Sequence, residues 1–445
     1  MVPAIRHFFC QSIMLEESES EKLFRTRTTN NFDVWLGFYF EKVCIKHNIW
    51  FADLIGFKYL LALFKGVIMK KKFPNIPFIR LCNNIYSIII LMIVLLCGCD
   101  KKEPLKIGFV GDLTGNMSEL GINGRNGVLL AVEERNGKGG IQGHHIKLIT
   151  KDDKHDEKQA LKVDQELIKE GVVAIIGHMT STMSVKAVPL INKKKLVMIS
   201  PTTSKLSGID DNFIRMLPYD QTNQHLAKHA YHRLGLKKLA IVYDLSNIAY
   251  SQLVRDDFSA AFESLGGKII LSKSFRTSPD IDYIHLTKSL LESQPEGLLI
   301  VSGALDTAMI CQHIRKACSK IFILANGWSG TDELVHHGGP AIEGLIFPIM
   351  YNKDSDTKLF LEFKTLFINR FGYVPDFASV YAYEAAQLLF NALCESTEPE
   401  KIKQVILKQA RLDGLQGEIT FDKYGDAQRK TSITSINNGK INVLK

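Results

Sequence analysis

From Leu105 onward the chain switches repeatedly between two hydrophobic periods. LKIGFVGDLTG is a short continuous apolar run closed by a Gly-bearing turn, as expected of a strand buried on both faces. Gly124 to Asn136 has helical spacing through Val128, Leu129 and Val132, and HHIKLITKDD alternates like a half-exposed strand. A helix from Gln159 to Lys169, the strand VVAIIG, a helix from Ser184 to Asn192 and the strand LVMIS follow. After Asp220 the alternation resumes: helix Gln224 to Leu234, KLAIVYD, helix Leu253 to Leu265, KIILSKSF, helix Tyr283 to Ser293, GLLIVSG, helix Thr307 to Ala317 and IFILAN. GLIFPIM then leads to two Phe- and Tyr-rich helices, Lys358 to Arg370 and Ser379 to Cys394, and to the strand-like EITFD and SITSINNGKI.

Strands that alternate with helices predict parallel sheets covered on both faces. The expected fold is α/β: two doubly wound lobes with a ligand cleft between them and three crossings, near Asp220, near Phe347 and after Gly417. The expected N-terminal lobe is 105–221 plus 348–415, and the C-terminal lobe 222–347 plus 416–445. Ligands of open α/β sheets bind at the carboxyl ends of the strands, which here line the cleft.

The stretch before Leu105 reads differently. From Met69 it has a basic start (Lys70, Lys71, Lys72, Arg80), an uncharged apolar run of about fourteen residues from Ile85, and then Leu96-Cys97-Gly98-Cys99. The run is short for a membrane span. Residues 69–98 resemble a bacterial lipoprotein signal, with Cys99 the expected lipidated residue and 99–104 a spacer. Asp100 resembles the inner-membrane retention signal of some Gram-negative bacteria. Residues 1–68 have no assigned role: either the natural start lies downstream of Met1, or they form a cytoplasmic or membrane-associated extension.

Charge narrows the partners. Twelve Lys/Arg against seven Asp/Glu precede Cys99, so five of the eight net positive charges sit in that stretch. The remaining +3 offers no electrostatic footprint for nucleic acid. Of eight cysteines, only Cys311, Cys318 and Cys394 follow Cys99. Cys311 and Cys318 are seven apart on an expected helix, about 10 Å along its axis, which is too far for a disulfide. They are expected to be free core thiols.

Seven stretches in order carry a family resemblance: IGFVGDLTG, the helix from Gly124 to Asn136, GGIQGHHIKLITKDDKHDEKQA, VVAIIGHMTSTMS, MISPTTS, FIRMLPYDQTNQ and GEITFDKYG. From Leu105 to about Val443 the chain resembles the substrate-binding proteins of branched-chain amino acid ABC transporters. The resemblance implies a two-lobed receptor, anchored by lipid in the periplasm or at the cell surface, that delivers a small ligand to membrane permease subunits and works as a monomer.

An amino acid presents a carboxylate and an ammonium, so a site must supply donors for one and acceptors for the other. Ser181 stands at a strand-to-helix junction, where a hydroxyl and free amides meet the positive end of a helix. Thr202, Thr203 and Ser204 end the next strand and offer groups of both senses. By the resemblance Ser181, Thr202 and Ser204 fall on ligand-contact positions, and Asp220 on an acidic position that would face an ammonium; a capping or hinge Asp is the alternative. Tyr250, or Ile248 if the loop shifts, is expected over the ligand. Ala304 and Asp306 are further second-lobe candidates. Gly327 replaces an acidic residue, Trp328 beside it is a candidate wall, and Leu120 stands where an aromatic ring is common. Two positions that bear a disulfide in some members read His155 and Thr180, so the pocket around Ser181 is expected to rely on packing alone.

Other features read as structural. His144-His145 and His336-His337 have no companion ligand set, and Lys193 to Lys195 suit a helix C-terminus. Neither a nucleophile elbow, a phosphate loop nor HExxH occurs, so no catalysis, metal or cofactor is expected. A transport receptor for an amino acid or amide is the expected function, with a sensory receptor of the same fold as the alternative.

Overall fold

The computed structural model describes residues 102–218, 222–318, 320–349 and 351–444. Cys99, the segments before it and Asp220 lie outside these residues.

The first sheet is built by β1 (Leu105–Gly111), α1 (Ser118–Gly137), β2 (Ile146–Asp152), α2 (Glu157–Glu170), β3 (Ala174–Ile176), α3 (Ser181–Lys194), β4 (Val197–Ser200) and β5 (Phe213–Arg215). Its strands are parallel in the order β2-β1-β3-β4-β5. The apolar run of β1 is needed because helices cover both faces: Ile107, Phe109 and Val110 are fully buried. Local signals fix the helix ends. Asp156 caps α2 by accepting from Gln159 N–H at 2.8 Å, and Gly171 closes it at φ 76°. Between β1 and β3 the order reverses, which places the switch point beside the loops leading into α1 and α3.

The second unit comprises α4 (Thr222–Lys228), β6 (Lys238–Asp244), α5 (Ile248–Ser264), β7 (Lys268–Phe275), α6 (Tyr283–Glu292), β8 (Gly297–Val301), α7 (Ala304–Ala317), β9 (Phe322–Ala325), α8 (Asp332–Gly338) and β10 (Ile346–Ile349). The chain then runs through α9 (Lys358–Phe371), α10 (Phe377–Glu395), α11 (Pro399–Gln409), β11 (Arg411–Gly414), β12 (Gly417–Phe421), β13 (Ala427–Gln428), β14 (Ser432–Asn437) and β15 (Lys440–Val443). The second sheet has the order β15-β14-β10-β9-β8-β6-β7, with β14 antiparallel to both neighbours. Its own reversal falls between β6 and β8, beside the loop entering α5.

After β10 the chain returns to the first lobe, where α10 lies against α1. A Cβ on Gly127 would stand 2.2 Å from Ser379 O, so only glycine permits this crossing. Buried Ala378, Ala382, Ala385 and Ala386 keep the α10 side equally thin.

The last boundary differs from expectation. Residues 416–429 lie against the first lobe instead of opening the second. Arg215 N–H donates to Gly425 O at 3.0 Å. The buried Arg215 guanidinium pairs with Asp211 at 2.9 Å and Asp426 at 2.8 Å, and Arg429 pairs with Glu384 at 2.5 Å. Only β14 and β15 rejoin the second sheet. Alternation along EITFD predicts a strand, but the pattern of a strand does not state which sheet it joins.

Candidate functional site

The loop after β3 is fixed before it can present anything. His178 is fully buried, its Nδ1 2.6 Å from Asp153 Oδ2 and its Nε2 3.2 Å from Asp164 Oδ2. Burial alone would lower its pKa, but the carboxylates of Asp164 and Asp153 outweigh burial and raise it to about 10. The imidazolium therefore ties the loop after β2 and helix α2 to the backbone that leads to Ser181.

A hydroxyl network extends this support. Ser200 Oγ lies 2.7 Å from His178 O and 2.8 Å from Thr203 Oγ1, which is also 2.8 Å from Ser184 Oγ. Thr202 Oγ1–H donates to Met179 O at 2.6 Å. The Thr203 side chain thus holds the loop internally, contrary to the expectation that it faces a ligand. By contrast, Ser181 Oγ and Ser204 Oγ are buried and have no hydrogen-bond partner. Leaving such a group unpaired costs about 1–3 kcal/mol, so the two hydroxyls mark where a further polar group belongs.

A cavity of about 40 Å³ lies between the lobes; Ser181, Thr203 and Ser204 do not line it, while Met179 and Thr202, each two residues from one of the unpaired hydroxyls, do. The first lobe supplies Leu120, Met179, Thr202 and Leu217, Ile349 comes from the end of β10, and the returning chain adds Tyr351, Phe377 and Tyr381. From the second lobe come Asn247 and Tyr250, at the start of α5, and Gly327, Trp328 and Gly330 after β9. Tyr250 and Trp328 meet edge to face, ring centroids 5.8 Å apart, which makes one apolar wall. Burial raises the Tyr250 phenol, offset in part by its hydrogen bond to the Trp328 backbone. Among the described residues no carboxylate lines the cavity.

The expected residues therefore separate. Leu120, Thr202, Tyr250 and Trp328 converge on the cavity, and Tyr250 lines it where the alternative Ile248 is 40% exposed. Asp306 does not line it. Both its oxygens are taken within the second lobe, by Thr277 Oγ1–H at 2.6 Å and Tyr283 O–H at 2.5 Å. Helix α7 begins at Ala304, three residues earlier than its apolar spacing suggests, which puts Asp306 in the first turn. Asp220 lies outside the described residues. Sequence reasoning missed Asn247, although its loop was singled out. It also missed Tyr351, Phe377 and Tyr381, whose aromatic spacing reads equally well as helix packing.

Packing is not the only support around Ser181, contrary to expectation. The disulfide positions are occupied by a polar pair, Thr180 Oγ1 lying 3.4 Å from His155 Nδ1, and His155 Nε2 lies 2.7 Å from Ser246 O in the second lobe. The neighbouring carboxylates Asp112 and Asp152 are engaged by backbone amides, Asp112 by Gly115 and Met117 and Asp152 by Leu113 and Lys154. Cys311, Cys318 and Cys394 are free thiols. Glu119 of α1 faces Glu333 of α8. Burial and then the Glu333 carboxyl raise Glu119 to about 9, Asp376 adds to this, and the Thr331 hydroxyl opposes it.

Residues 104–440 match a family model described as periplasmic binding protein. The chain belongs to that family. Its members are binding proteins and not enzymes, and the fold is the two-lobed type I periplasmic binding fold. A Leu/Ile/Val-binding protein homologue of Brucella abortus is 26% identical over 364 residues, covering 77% of this chain and 93% of the relative. A leucine binding protein of Thermotoga maritima superposes with a TM-score of 0.69 at 25% identity, covering 77% of this chain and 98% of its own. A solute binding protein of R. palustris, solved with benzoate, gives a TM-score of 0.69 at 19% identity over 77% and 95% of the two chains, a likeness of fold alone.

Proposed function

We propose that this periplasmic binding protein is the extracytoplasmic receptor of an ABC importer, capturing an amino acid, a related amide or a small carboxylate and passing it to permease subunits. The observation that carries the reading is the pair of buried, unpartnered hydroxyls of Ser181 and Ser204, each two residues along the chain from Met179 or Thr202, which line an apolar, aromatic cavity. Ser181, Thr202 and Ser204 would bind the carboxylate, Leu120, Tyr250 and Trp328 would wall the side chain, and Asp220 would meet an ammonium group. Relatives named for leucine, isoleucine and valine support this class of ligand. In the same reading 69–98 is a leader and Cys99 the lipid-bearing residue that tethers the receptor beside its permease.

Calorimetry on the full chain with a panel of amino acids, amides and short or aromatic carboxylic acids tests the proposal. One member is expected to bind at one site, and at a hundred times its Kd to stabilise the fold by about 2.7 kcal/mol. No heat from any member would overturn it.

A further inference from the structure

Asn247 holds the N-cap position of α5, yet its side chain makes no cap there. It engages the other lobe instead. Oδ1 accepts from Thr182 N–H, in the first turn of α3, at 3.2 Å and lies 3.2 Å from Thr182 Oγ1, which itself accepts from Ala249 N–H at 3.2 Å. A backbone N–H only donates, so the amide oxygen of Asn247, and not its nitrogen, must face Thr182. The oxygen is thereby used twice, while Nδ2 keeps N–H groups that no described residue accepts.

Asn247 is only 4% exposed and lines the cavity. Neighbouring hydroxyls of the lining are committed elsewhere: Thr202 Oγ1–H donates to Met179 O at 2.6 Å and Tyr351 O–H to Pro375 O at 2.6 Å. Nδ2 is therefore a donor at the cavity wall, oriented by its own oxygen and calling for an acceptor from outside these residues. Its position narrows the choice. Thr182 directly follows Ser181, so the Asn247 amide reaches, from the second lobe, the same helix start that carries the unpaired Ser181 hydroxyl. An anion is favoured at that end of a helix. A carboxylate has lone pairs enough for donors from both lobes, and an N–H bond to an ionised oxygen is roughly twice as strong as one to a neutral oxygen.

We propose that Asn247 is a ligand contact of the second lobe, its Nδ2–H donating to the same carboxylate that Ser181 receives, and that this donor sets a preference for an acid over its amide. The contact rests on the receptor reading and adds to it a specificity residue on the opposite lobe.

Titration calorimetry of the full chain with matched pairs tests the contact: leucine and leucinamide, 4-methylpentanoate and its primary amide, benzoate and benzamide. The wild type is expected to bind at least one acid more tightly than its amide. Asn247→Asp keeps an oxygen for Thr182 N–H but exchanges the donor for a negative charge. It is expected to bind that acid about ten- to a hundredfold more weakly and the amide at least as well as the wild type does, so that the order within the pair reverses. Asn247→Ala is expected to weaken the acid by about tenfold and the amide less, and thermal melts without ligand certify that each variant is folded. Unchanged affinity for the acid in Asn247→Asp, or an equal loss for acid and amide in both variants, would overturn the contact and leave the receptor reading standing. Silence from every pair in the wild type would overturn both.

Discussion

Replacing His178 by Asn removes the cation that lies between two buried carboxylates and so tests how the binding loop is held. Asp153 and Asp164 would be left facing each other with side chains that are almost wholly inaccessible. Deleting one partner of a buried charged set costs about 3–5 kcal/mol, a large share of the roughly 5–15 kcal/mol that stabilises a folded domain. The pH dependence gives the sharper readout. The folded pKa of His178 is raised from 6.5 to about 10. Below pH 6.5 the folded and unfolded chains both hold the proton and the contribution is complete. Above it only the folded chain does, so the contribution falls by about 1.4 kcal/mol per pH unit and vanishes as pH passes the folded value. Urea unfolding of wild type and His178→Asn at pH 6, 7.5 and 9 measures the difference directly. It is expected to be largest at pH 6 and to shrink steadily. A gap below about 1 kcal/mol at pH 6, where this pair matters most, or one that does not change with pH, would refute the imidazolium staple.

Three further outcomes follow from the same geometry. Glu119 carries a raised pKa of about 9 in the fold, so its protonated contact with Glu333 stabilises fully below pH 4.5 and is lost as pH climbs through 9; Glu119→Gln is expected to melt with less pH dependence than wild type between pH 5 and 9, and parallel melting curves would discard the contact. Ser181→Ala removes a buried hydroxyl that has no protein partner, so the empty protein is expected to keep or gain stability in thermal melts while a carboxylate ligand binds about tenfold or more weakly by calorimetry. Gly127→Val would drive a Cβ against Ser379 O; a loss of about 1–3 kcal/mol in urea unfolding is expected, and an unchanged midpoint would mean that α1 and α10 do not depend on this close approach.

Most of the architecture was legible because strand and helix periods differ and each β-α unit carries its own signal. The starts of α3 and α7 were placed three residues late: Ser181 to Met183 and Ala304 to Asp306 lack the apolar spacing that marks a helix, and hydrogen bonding decides them. Helix α11 went unseen because its buried face is as narrow as Ile402 and Ile406. At the cavity, Thr202 is legible as the end of a strand that topology brings to the cleft, while Leu120 and Tyr250 are expected from the family resemblance and not from any local pattern. The rest arises from chain return: Tyr351, Phe377 and Tyr381 reach the cavity from more than a hundred residues away from the first lobe's strands, and nothing local marks them. His178 shows the same limit, since its charge depends on Asp153 and Asp164 from two other elements.

The central claim is that the unpaired hydroxyls of Ser181 and Ser204 receive a small carboxylate ligand. Titration calorimetry of the full chain and of Ser181→Ala, against the same panel of amino acids, amides and carboxylic acids, tests it most directly. The account predicts one-site binding of at least one carboxylate-bearing member by the wild type, weakened by about tenfold or more in Ser181→Ala. Silence from the whole panel, or equal affinity in both proteins, would contradict it.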